Sequence, residues 1–99
     1  MDQVRYSHQE FGFASENLFT WDGVVLEIFG LTQTSSGAHQ RFHRDLLTIN
    51  IEEPDGKGAR KVEIYAGTRG CGQCMFKIAE QDRPVIDFLE RVRAALPAA

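Results

Sequence analysis

With only two cysteines, three prolines and one tryptophan among 99 residues, several common architectures are out of reach. Two cysteines cannot staple a small secreted scaffold, which needs several bridges to replace a core. No apolar run approaches the ~20 residues that carry a helix across a bilayer. Residues 1–10 are polar and show no secretory leader. Basic residues are scattered in a chain of net charge −3, and Arg41 with Arg44 and Arg60 with Lys61 form only small basic spots. That is no electrostatic footprint for nucleic acid. There is no phosphate-binding glycine loop, no dinucleotide fingerprint and no suggestive pair of carboxylates. The chain is therefore expected in the reducing cytoplasm, where a cysteine pair is two thiols before it is a structural disulfide.

What is present is a core-forming composition, 42% hydrophobic with Phe supplying seven of the aromatics, in a length that makes one domain. Residues 1–8 are polar and expected to fray, leaving residues 9–97 as the folded unit. Phe11 and Phe13 flank Gly12 and open a strand. Asp22-Gly23 separates two β-prone runs, residues 18–21 and 24–31, and Asp-Gly there marks a hairpin whose centre needs positive φ. On the second arm Val24, Leu26 and Ile28 share one face, and Glu27 marks the wet one. Residues 32–37 form a Thr/Ser/Gly loop. Residues 38–44 read two ways. As a helix, Ala38, Phe42 and Leu46 make a stripe; as a strand, His39, Arg41 and His43 share a face. The β pattern that follows, Leu47, Ile49 and Ile51 against Thr48, Asn50 and Glu52, favours the strand. Pro54-Asp55-Gly56-Lys57-Gly58 then reverses the chain. Val62, Ile64 and Ala66 alternate with Lys61, Glu63 and Tyr65, and Phe76 and Ile78 with Met75 and Lys77. The tail changes period. Asp82 stands at an N-cap, Pro84 sits in the first turn, and Val85, Phe88, Leu89, Val92 and Leu96 fall on one helical face before Pro97.

Six or seven strands followed by one amphipathic helix give a mainly β (α+β) fold. The expectation is a strongly curved antiparallel sheet or partly open barrel, capped by the C-terminal α-helix. Phe19-Thr20-Trp21-Asp22-Gly23-Val24-Val25 as first hairpin, Arg41-Phe42-His43-Arg44-Asp45-Leu46-Leu47 as strand and corner, and Ile86-Asp87-Phe88-Leu89 with Val92 as closing helix resemble a bacterial pleckstrin-homology-like (PH-like) domain. The likeness runs over most of residues 17–96 and is one of element order and loose pattern. It implies a binding or scaffolding module without catalysis, engaging a protein or peptide partner, a second copy of the chain included. Phosphoinositide binders of this kind place Lys and Arg around the first hairpin loop. Asp22-Gly23 stands there instead, so a membrane lipid is not the expected ligand.

The alternative reading is a zinc-binding or thiol-redox protein using Cys71 and Cys74, in the run Thr68-Arg69-Gly70-Cys71-Gly72-Gln73-Cys74. Two thiolates are half of a zinc site, which takes four ligands. The other candidates are His8, His39 and His43. On a strand His39 and His43 stand roughly 13 Å apart, too far to share one ion. A second route is a four-cysteine site shared by two chains. A redox pair of this spacing ordinarily opens a helix, and here alternating strand residues follow. The plain reading is two thiols at a glycine-rich hairpin tip. Ser35 and Ser36 near His39, and His43 near Asp45, show no nucleophile–base framing. Trp21 is assigned to the core or to a barrel end.

Overall fold

The structure is a computed structural model and describes residues 1–10, 13–31, 39–67 and 74–97. The chain is mainly β. Strands β1 (Asp2–Glu10), β2 (Phe13–Trp21), β3 (Val25–Gly30) and β4 (Gln40–His43) form one antiparallel sheet in sequence order. A second antiparallel sheet holds β5 (Leu47–Ile51), β6 (Arg60–Ala66) and β7 (Cys74–Ile78). A one-turn 3-10 helix, Glu80–Asp82, leads into helix α1 (Arg83–Ala94). The strands thus divide between two sheets and do not close into a barrel. None of the helices, among the described residues, is long and apolar enough to cross a membrane.

The first correction to the sequence reading is at the N-terminus. Residues 1–8 do not fray: β1 pairs with β2 from Asp2↔Trp21 to Glu10↔Phe13. Two apolar residues of alternate register suffice to anchor it. Tyr6 is buried at 2% exposure and Val4 packs against the core. The Tyr6 hydroxyl donates to the Lys77 carbonyl on β7 at 3.1 Å, and its ring meets Phe76 edge-on at 6.0 Å. Arg91 on α1 donates through Nε to the Asp2 carboxylate at 3.1 Å, fastening the first residues to the last element. A largely polar strand is held because its few inward side chains bridge to the other sheet.

Elsewhere the alternation is legible. Asp22-Gly23 makes the turn before β3, with Gly23 at φ +94°. The Asp22 carboxylate accepts the amides of Val24 and Val25, both at 2.8 Å, so the side chain shapes the turn as much as the glycine does. Residues 40–43 are strand, as their neighbours imply. Leu47 and Ile49 on β5 and Val62 and Ile64 on β6 are buried facing the core. On α1, Val85, Phe88, Leu89 and Val92 are buried as expected, and Ile86 widens the stripe. Burying each of these large side chains is worth about 1.5–3 kcal/mol. Pro84 lies in the first turn. Asp82 holds the N-cap position but makes no side-chain cap bond. The helix packs against β1, β5 and β7 and so closes the space between the two sheets.

Polar residues lie inside as well. On β2 the inward register runs Ser15, Asn17, Phe19, Trp21, all buried. Across from them on β1 are His8, paired with Ser15, and Tyr6, paired with Asn17. Tyr6 and His8 stack at 4.7 Å. Glu63, expected on a wet face, is only 8% exposed on β6, between Asn50 of β5 and Met75 of β7. The loop expected at residues 32–37 and the hairpin tip expected at Cys71 fall outside the described residues.

Candidate functional site

Of the two sequence-marked cysteines, Cys74 is the first residue of β7 and Cys71 lies outside the described residues. Cys74 is half-buried, and its thiol donates to the Gln40 side-chain oxygen on β4 at 3.1 Å. Burial pushes the thiol up to about 11. A thiolate is the species that attacks disulfides, so this environment holds Cys74 in its less reactive thiol form. The histidines sit elsewhere. His39 stacks on Phe29 with ring centroids 4.6 Å apart and hydrogen-bonds Glu27, whose same oxygen lies 3.7 Å from the Arg41 Nε. The His43 Nδ1 accepts the Asp45 amide at 3.1 Å. No group of three or more His, Cys, Asp or Glu side chains, among the described residues, is arranged to hold a metal ion.

The concave surface that the sequence did not mark lies on the outer face of the second sheet. The outward residues of β6 and β7 there include Lys61, Met75 and Lys77. Lys61 and Lys77 are direct cross-strand partners, a like-charge pairing that costs stability on its own. The loop between β5 and β6 folds over to offset it: the Asp55 carboxylate reaches Lys77 Nζ at 3.4 Å. That loop is bonded internally through Asp55. Asp55 accepts the amides of Lys57 at 2.8 Å and Ala59 at 3.0 Å, and its own amide donates to the Ala59 carbonyl at 2.8 Å. These backbone donors, Lys57 first and Ala59 second, hold the Asp55 carboxyl below its usual range, and Lys77 adds to the effect. Between loop and strands runs an open groove of about 540 Å³, lined by Glu52, Glu53, Asp55, Ala59, Lys61, Met75, Phe76 and Lys77. Met75 is 54% exposed beside it. A smaller pocket of about 150 Å³ lies between Arg60 and the start of α1, where Arg83 is engaged with Asp87 at 2.9 Å.

Main-chain geometry decides how such a surface can be used. The Glu52 amide donates to the Lys61 carbonyl. In an antiparallel ladder a residue's N–H and C=O point the same way and successive residues alternate. Lys61 therefore faces β5, and Arg60, Val62 and Ile64 face β7. It follows that Met75 and Lys77 turn their backbone groups to the free side of β7, and the Tyr6 bond to the Lys77 carbonyl agrees. On β5 the same alternation turns Leu47, Ile49 and Ile51 to its outer side, where Leu47 and Ile49 are only 7% and 4% exposed. One edge of the second sheet is thus covered. The other is five residues long, carries a lysine and has one carbonyl already taken, the features that discourage strand addition. What this face presents is side chains.

Comparison with known proteins yields no family model, no curated protein and no solved structure that matches the chain.

The groove was missed because it depends on where a loop lands. Pro54-Asp55-Gly56-Lys57-Gly58 marks a turn, but nothing in its spacing says that Asp55 crosses the sheet to Lys77.

Proposed function

We propose that this chain is an intracellular PH-like module that binds a protein partner through side-chain contacts across the groove on the outer face of β6 and β7. The observation that carries the reading is the open groove of about 540 Å³ with Met75 exposed beside it. A partner that fits presents an apolar side chain to Met75 and an acidic one to Lys61, which forms no ion pair among the described residues while Lys77 is held by Asp55. The PH-like part is supported by the order of elements, four strands in one sheet, three in the next and a helix at the C-terminal end. The β2–β3 turn carries both signs of charge, Asp22 kept ionised by the amides of Val25 and Val24 and Arg44 reaching the Gly23 carbonyl at 3.5 Å, so it offers an anionic headgroup no purely cationic loop.

The test compares the wild-type chain with Met75→Glu and Lys61→Glu in two assays, affinity capture from the host lysate and sedimentation over a wide concentration range. Support is a captured protein that both substitutions release, with at least a tenfold loss of affinity and no change in melting temperature. A concentration-dependent dimer sensitive to the same substitutions identifies the partner as a second copy. A monomer at all concentrations, with no capture that depends on Met75, sinks the proposal.

A further inference from the structure

We draw no further inference here: the strongest candidate, the interior polar cluster of Tyr6, His8, Ser15 and Asn17 between β1 and β2, is engaged within the fold by stacking and cross-strand pairing, and neither the groove nor the pocket described above reaches it.

Discussion

Gly58→Ala is expected to destabilise the protein by two separable effects. Gly58 sits at φ +82°, a conformation that costs an L-residue about 1–2 kcal/mol. A Cβ built there would also stand 2.6 Å from Glu80 Oε2 and 3.1 Å from both Glu80 Cβ and Cδ. The carboxylate can swing away because Glu80 is exposed, but its Cβ cannot. Forcing that side chain off its rotamer adds about 0.5–1.5 kcal/mol. The sum is about 2–3 kcal/mol, or roughly 10–20 °C in melting temperature for a domain of this size. Gly23→Ala is the control. Its φ is +94°, and a Cβ there meets nothing within 4 Å, so it carries the backbone strain alone. The assay is urea denaturation of four proteins: wild type, Gly58→Ala, Glu80→Ala, and the double variant. Glu80→Ala alone should lie within about 0.5 kcal/mol of wild type. In the double variant the Oε2 and Cδ contacts vanish and only the one to Cβ remains. Its loss should therefore be smaller than the sum of the singles by about 0.5–1 kcal/mol. Strict additivity, or equal losses for Gly58→Ala and Gly23→Ala, would refute the packing of the β5–β6 loop against the turn before α1.

Three further outcomes are expected. Tyr6→Phe removes only the hydroxyl that donates to the Lys77 carbonyl, and should cost about 1–2 kcal/mol in the same denaturation assay; no loss would mean that β1 is not docked on β7. In a Cys71→Ser background, Cys74 should resist iodoacetamide at neutral pH. The folded thiol, raised from 9.0 to about 11, keeps a proton that the unfolded chain has lost, so stability should fall as pH rises across that window, and Cys74→Ala should abolish the fall. Asp22 is depressed below 3.8 by the Val25 and Val24 amides, so its contribution is present above that value and lost as pH falls through the folded one; Asp22→Asn, which keeps the accepting oxygen, should flatten the acid limb of a pH–stability curve.

Where apolar and polar residues alternate along the chain, the sequence discloses the fold. Leu47, Ile49, Val62 and Ile64 report β5 and β6 because they recur at every second position between polar residues, and all four are buried. The α1 stripe is readable for the same reason at a different period. β1 is not, since Val4 and Tyr6 are diluted by polar neighbours and owe their burial to β7 and α1, elements about 70 or more residues further on. The division into two sheets is hidden too. It depends on the corner at residues 44–46, where Arg44 donates to the Val24 carbonyl and Leu46 to that of His43, bonds that no hydropathy pattern encodes. Glu63 shows the limit from the other side, being a charged residue in a correctly read strand that tertiary contacts nevertheless bury.

The same contrast separates stability from binding. Residues that hold the sheets together, such as Phe19, Phe88 and Tyr6, are buried, and the Phe19 ring meets each of the other two at 6.4 Å. Met75 and Lys61, the residues proposed to meet a partner, point outward from strands whose ladder bonds run through the backbone and whose inward neighbours carry the core. Substituting them should change what the molecule contacts without changing whether it folds. Strand addition divides the work differently: main-chain hydrogen bonds at a sheet edge supply the affinity and pockets for alternate side chains the specificity. With one edge of the second sheet covered and the other occupied at Lys77 by Tyr6, that route is narrow. On the proposed reading a partner is recognised by its side chains, which makes a single charge reversal at Lys61 a sensitive probe of the proposed interface and an insensitive probe of the fold.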